Sequence, residues 1–88
     1  MTSKQIESFS SKMKLKIKEK DTEHGVEGWL DDDSSISYLI NRLNIKHRKL
    51  TKAIDDCDIN KAQKLCVDVG NFSMMIDDRL SFIKGGRN

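Results

Sequence analysis

A carboxylate stands inside one of the most apolar segments of this chain, Asp68-Val-Gly-Asn-Phe-Ser-Met-Met-Ile-Asp-Asp78. A helix that is apolar on more than one side must be covered on more than one side. An acid buried on such a helix is costly unless it has a partner or a role. Asp68 is therefore the first candidate functional residue, and the segment is typical of a packed helix that carries a carboxylate site.

Lys46 is the second unusual residue. It falls near the centre of an apolar stripe, where a lysine is expensive unless it is paired, while Arg42 and Lys49 lie toward the edge of that stripe. The stripe repeats at one-turn steps and consists of Leu39, Leu43, Leu50 and Ala53. Two interpretations remain open: the Lys46 stem lies on the core with its ammonium in water, or the ammonium pairs with Asp68.

Other residues with metal-binding chemistry are less well arranged. Cys57, Cys66, His24 and His47 match no common spacing of zinc ligands, so we expect reduced thiols, with Cys66 buried and Cys57 in a turn. The acids of Asp31-Asp-Asp33 are consecutive, and their side chains diverge. They are better suited to the positive end of the helix that follows them than to a metal ion.

A first helix is predicted over residues 4–20. Its apolar stripe is Ile6, Phe9, Met13 and Ile17. The alternation of Met13-Lys-Leu-Lys-Ile-Lys18 would also suit a strand, but no second alternating run is present to pair with it. The six lysines of this segment indicate a solvated face more readily than an anion-binding patch.

Residues 21–33 contain Gly25, Gly28 and Trp29 and are predicted to form a loop. A second helix is predicted over residues 35–54, capped by Asp33, Ser34 or Ser35. Its stripe is Ile36, Leu39, Ile40, Leu43, Leu50, Ala53 and Ile54. The loop is predicted to connect the first helix to the second.

A third helix is predicted from a cap at Asp58 to about residue 84, where Gly85-Gly86 ends it. Its main stripe is Leu65, Val69, Phe72, Ile76, Leu80 and Ile83. Val67 and Met74 fall on nearly the opposite side, and Gly70 lies near them, where a neighbouring backbone could approach. This second face predicts contact with another subunit or with another helix of the same chain, and the sequence leaves both open.

Length and composition predict one small domain over residues 1–88. The chain has no proline, 36% hydrophobic and 34% charged residues, and a formal net charge of +2. No run approaches the ~18 apolar residues of a membrane span, and residues 1–5 lack the apolar core of a secretory signal, so we expect a cytoplasmic protein. The low net charge and the small aromatic fraction of 6% argue against nucleic-acid binding.

Several of these features together resemble one known family. Lys14-Leu15, Gly28-Trp29, the leucines of the second helix and the Asp68–Asp77 segment resemble small MazG-like proteins of the all-α nucleoside triphosphate pyrophosphohydrolase superfamily, over residues 13–78. The resemblance implies an all-α bundle of about three helices per chain, completed by oligomerisation as a homodimer or dimer of dimers. Active members cleave a nucleotide between its α- and β-phosphates and release pyrophosphate.

The resemblance also implies a metal centre that this chain does not match. Active members carry a Glu-x-x-Glu pair and a Glu-x-x-Asp pair, whose four carboxylates hold Mg²⁺. The matching positions here are Lys46 and Lys49, then Leu65 and Asp68, so only Asp68 remains as a metal ligand. The formal charge of the four positions changes from about −4 to about +1.

The leading interpretation is a MazG-like protein that has lost Mg²⁺-dependent hydrolysis and acts as a nucleotide-binding, regulatory or assembly module. Trp29, Lys46, Lys49 and Asn71 are its candidate nucleotide contacts, no cofactor is expected, and no catalytic residue is assigned. One alternative is an active Mg²⁺-dependent pyrophosphohydrolase in which Asp55, Asp56, Asp77 or Asp78 replaces the missing ligands. The other is a purely structural helical oligomer or protein-interaction module. For Asn71 the sequence also allows a role in satisfying a backbone group, and for Trp29 a role as a core plug.

Overall fold

The computed structural model describes the backbone of residues 3–24 and 36–84, and the side chains of residues 3–19 and 36–84. Throughout these residues the chain is helical, with no strand. Helix α1 spans Ser3–His24, α2 spans Ile36–Asp55 and α3 spans Ile59–Ile83. The predicted all-α fold with three helices is confirmed.

The predicted bounds of α2 and α3 are close to the observed ones, whereas α1 is longer than expected. The sequence places residues 21–24 in a loop, but they continue α1 to His24. Residues 13–18 lie inside this helix, so the strand alternative for them is wrong. Several predicted features lie outside the described residues. They are the loop from Gly25 onward with Trp29, the acids at 31–33, the cap at 33–35 and the end of the third helix at Gly85.

A tight turn joins α2 to α3. The amide of Asp58 donates to the carbonyl of Ala53 at 2.9 Å, and the amide of Cys57 donates to the carbonyl of Ile54 at 3.0 Å. These two bonds form the Schellman arrangement that closes many helices. Cys57 occupies the left-handed position of this motif, with φ of 58°, where glycine is the usual residue.

Asp58 then begins α3 as its N-cap, as the sequence predicted. The Asp58 side chain accepts a hydrogen bond from the amide of Lys61 at 3.2 Å, which satisfies one of the unpaired amides at the start of the helix. The two caps fix the short connection, so α3 folds back along α2 as an antiparallel pair.

The core lies mainly between α2 and α3. Its buried apolar side chains are Leu39, Ala53, Leu65, Val67 and Met75. Helix α1 packs on another side of α3, and no described side chain of α1 is fully buried. α3 is therefore the central helix, and it places its residues against both of the others.

Parts of the predicted apolar stripes are exposed instead of buried. This correction applies mainly at helix ends and edges that the other described helices leave uncovered. The residues are Ile6, Phe9, Ile40, Ile54, Leu80 and Ile83. Conversely, Met75 belongs to none of the predicted stripes and is buried, at 8% exposure.

The second face of α3 meets another helix of the same chain. Val67 is buried within the single chain, and Met74 lies beside Met13 and Ile17 of α1. Gly70 is approached by side chains and not by a backbone: a Cβ at this position would lie 2.9 Å from the Phe9 ring and 3.5 Å from the Met13 sulfur. The intrachain alternative therefore accounts for the two-sided pattern.

Candidate functional site

Asp68 lies near the middle of α3, at the seam where this helix faces both α1 and α2. Its side chain is 13% exposed, so the carboxylate is largely withdrawn from water. A charge in such a place needs a partner. The structure supplies two, one from each neighbouring helix.

The first partner is Lys46 of α2. Its Nζ lies 3.4 Å from Oδ2 of Asp68, and the lysine side chain is 21% exposed. The hypothesis that these two residues pair is confirmed. The alternative, in which the ammonium only reaches into water, does not describe the observed position.

The second partner is Lys16 of α1, which the sequence interpretation did not single out. Its Nζ lies 3.8 Å from Oδ1 of Asp68. Lys16 follows Phe9 by seven residues and Met13 by three, so helical geometry places it on the same side of α1 as those two apolar residues. That spacing could have indicated that Lys16 faces α3. The segment contains five other lysines, however, and they make Lys16 look like one member of a solvated face.

The remaining predicted ligand positions are not arranged as a carboxylate site. Leu65 is 6% exposed and belongs to the core between α2 and α3. Lys49 is exposed on α2, and Arg42 is half-buried one turn before Lys46. The structure thus brings Lys46 and Asp68 together, places the aliphatic Leu65 in the core, and leaves Lys49 on the surface.

The donor set around Asp68 does not fit a Mg²⁺ centre. Mg²⁺ prefers oxygen ligands in an octahedral arrangement, but both oxygens of Asp68 face ammonium groups. Among the described residues, no three His, Cys, Asp or Glu side chains are grouped so that they could hold a metal ion. Asp55, Asp56 and Asp77 are exposed, and Asp56 is paired with Lys52 at 3.3 Å.

Asn71 follows Asp68 by one turn and is the only polar residue among the buried side chains of the described chain, at 4% exposure. Its Nδ2 donates to the carbonyl oxygen of Met13 at 3.4 Å, which confirms the prediction that Asn71 could satisfy a backbone group. Its Oδ1 is buried, and no donor of the described residues reaches it. Exchanging the two amide atoms would place two acceptors face to face, so the orientation is fixed by the Met13 bond.

Asn71 forms part of a groove between α1 and α3 with a volume of about 450 Å³. The groove is mainly apolar, and lysines of α1 stand along it. Its lining residues are Ser10, Met13, Lys14, Ile17, Lys18, Asn71 and Met74. An apolar surface with a buried acceptor and nearby ammonium groups suits an anionic ligand that also carries a flat or apolar part.

The cysteines play no part in this site. Cys66 is exposed, so the prediction that it is buried was wrong: at its place on α3 no other helix covers it. Cys57 is exposed in the turn, as predicted, and both thiols are free. Among the described residues, Cys57, Cys66 and His47 do not form a group that could hold a metal ion. The His24 side chain lies outside those residues.

Within the described residues, no helix is both long enough and apolar enough to cross a membrane. No protein-family model, curated protein or solved structure matches this chain. The geometry of Asp68, its two lysines and the Asn71 groove is therefore the basis for assigning a function.

Proposed function

We propose that this chain is a MazG-like helical module that binds a nucleotide without hydrolysing it. The observation that carries the proposal is Asn71, which lines a groove bordered by Lys14 and Lys18 and whose buried Oδ1 meets no donor among the described residues. A buried polar atom left unsatisfied costs ~1–3 kcal/mol. An N–H or O–H group of a base or sugar would satisfy it, and the two lysines add positive charge that favours an anionic ligand.

The Lys46–Asp68 pair supports the non-hydrolytic part of the proposal. Hydrolysis by the mechanism of the resembled family needs carboxylates that hold Mg²⁺ and activate a water molecule. Here an ammonium lies 3.4 Å from the one carboxylate that remains. A binding, regulatory or assembly role is compatible with that charge arrangement, and none of these three roles needs a metal ion.

Thermal unfolding with a panel of nucleoside mono-, di- and triphosphates, each with Mg²⁺ and with EDTA, tests this function. A ligand at a hundred times its Kd stabilises the native state by ~2.7 kcal/mol, which raises the Tm of a chain this small by several degrees. We expect a rise that is the same in Mg²⁺ and in EDTA. The rise should be reduced in Asn71→Ala and kept in Asn44→Ala, because Asn44 is exposed on α2.

Two other outcomes would overturn the proposal. Stabilisation only with Mg²⁺, together with pyrophosphate release that Asp68→Asn abolishes, would identify an active pyrophosphohydrolase. The absence of any nucleotide effect would favour the second candidate, a structural or protein-interaction module. That candidate is supported by large apolar side chains exposed on all three helices, among them Leu15, Tyr38 and Ile59.

A further inference from the structure

We propose that Lys16, Asp68 and Lys46 form a subsite for a pyrophosphate group that binds without a divalent metal ion. The inference rests on the proposed function and assigns the phosphate end of the ligand to a particular cluster. Its starting point is charge: one carboxylate faces two ammonium groups. One lysine would be enough to neutralise Asp68, so the second leaves an excess positive charge in a partly buried place, where charge is costly unless it is balanced.

The distances leave donors available for such an anion. Charge-assisted N–H···O bonds are usually about 2.7–2.9 Å long, whereas the two lysine nitrogens lie 3.4 and 3.8 Å from Asp68. Each ammonium has three N–H groups, and the carboxylate does not occupy them all. The two nitrogens face different oxygens of one carboxylate, so Asp68 holds an ammonium group at each of its oxygens.

The cluster is also open enough to receive a ligand. The side chains of Lys16 and Lys46 are 32% and 21% exposed, so each ammonium keeps access to solvent while its stem is covered. A small anion can reach these groups without the helices separating. The partial burial also reduces screening by water, which makes each contact stronger than it would be at a fully exposed lysine.

The surrounding charge favours an anion with several negative charges. Along the same side of α2, Arg42 precedes Lys46 by four residues and Lys49 follows it by three. The only acid of α2 is Asp55, at the far end of the helix. A monocarboxylate would merely duplicate Asp68, whereas pyrophosphate has enough oxygens and charge to bridge both lysines. Asn71, one turn beyond Asp68 on α3, belongs to the groove that would receive the rest of a nucleotide.

The test is isothermal titration calorimetry with sodium pyrophosphate in EDTA at low ionic strength. Wild type should bind, and added salt should weaken the binding. Lys46→Met and Lys16→Met should each bind roughly tenfold more weakly, since each loses one charged contact. Lys46→Arg should restore binding. Lys52→Met is the matched control, because Lys52 is exposed and pairs with Asp56 near the end of α2.

Asp68→Asn separates this subsite from a metal centre. Removing the carboxylate takes away a negative charge, so pyrophosphate should bind in EDTA at least as tightly as it binds to wild type. A metal centre at Asp68 predicts the opposite, namely binding that needs Mg²⁺ and is lost in this variant. Wild type that does not bind pyrophosphate, or binding that both lysine variants keep, would overturn the inference. Lys16→Met remains informative if Lys46→Met does not fold.

Parallel titrations with a nucleoside triphosphate and with the matching nucleoside distinguish this inference from the proposed function. Nucleotide binding that depends on Asn71 but not on Lys16 or Lys46 would support the function and reject the subsite. Pyrophosphate binding that depends on both lysines, with no gain from the nucleoside part and no effect of Asn71→Ala, would support the subsite and reject nucleotide recognition.

Discussion

Asp68 has an ammonium group on either side, supplied by helices that precede it in the chain by roughly twenty and fifty residues. A largely buried carboxylate so placed joins α1 and α2 to the central helix by charge. Breaking such a pair from one side leaves charges without a partner, which costs more than the pair itself contributes. The stability of this seam is therefore governed by charge balance, and removing the acid has a different effect from removing a lysine.

A double-mutant comparison measures this balance. Asp68→Ala should destabilise the chain, because it leaves Lys16 and Lys46 close together with no counter-charge. Adding Lys46→Met to that variant should recover stability, since it removes one stranded ammonium and keeps an apolar stem; we expect a coupling of about 0.5–3 kcal/mol. Urea unfolding of wild type, both single variants and the double variant gives the value. A double variant no more stable than Asp68→Ala would contradict the pairing.

The sequence offered the Lys46–Asp68 pair as one of two interpretations, because each residue conflicts with an otherwise apolar stripe. The structure shows the pair. The sequence did not predict Lys16, since alternation with apolar residues made all the lysines of α1 look like solvent-facing ones. Nor did it predict the exposure of Cys66. Cysteine occurs both in cores and on surfaces, so its type does not show whether another helix covers it. Oδ1 of Asn71 meets no donor in the part of the chain that the structure describes. This depends on the position of α1, so it is a tertiary feature that local sequence does not encode.

At the level of elements, α2 and α3 were predictable to within a residue because their ends carry local signals. Asp58 caps α3 through its own side chain, and the turn closes α2 by backbone bonds that need no distant partner. The length of α1 had no comparable signal, and residues 21–24 extend it beyond the predicted end. The burial of Met75 depends on how the helices pack, and periodicity alone does not determine it.

Among the described residues, helix α1 packs less extensively on α3 than α2 does. Phe9 packs near Gly70, Asn71 bonds the Met13 carbonyl and Lys16 faces Asp68. Since none of the described α1 side chains is fully buried, its amides should exchange with solvent through local opening that leaves α2 and α3 paired. Hydrogen exchange followed by mass spectrometry should show α1 exchanging faster than the centres of α2 and α3.

Variants of α1 sharpen that expectation. Phe9→Ala should speed exchange in α1 with little effect on α2, because it removes the ring beside Gly70. Ile6→Ala is the matched control, since Ile6 is 54% exposed and its loss should change exchange less. Amides of α1 that are protected as long as those at the centre of α3 would show that the three helices open together instead.

At the level of the whole molecule, many large apolar side chains are exposed, while the buried core of the described residues is small. Ile54 and Ile59, on either side of the turn between α2 and α3, are 61% and 70% exposed. The Schellman turn and the Asp58 cap hold them in fixed positions, so covering them costs little ordering. Exposed apolar residues that adjoin one another commonly mark an interaction surface.

We therefore expect the chain to self-associate, with the end that carries Ile54 and Ile59 in the interface. Sedimentation over a range of concentrations should show a reversible dimer or larger assembly in wild type and a shift toward monomer in Ile54→Ser/Ile59→Ser. The matched control is Ile6→Ser/Leu15→Ser, which removes two exposed apolar residues from the loosely held α1 and should shift the equilibrium less. A monomeric wild type at every concentration would reject association, whereas a larger shift in the α1 variant would move the interface to that helix. The latter result would couple assembly to the Lys16–Asp68 contact, because α1 would then carry both Lys16 and the residues of the interface.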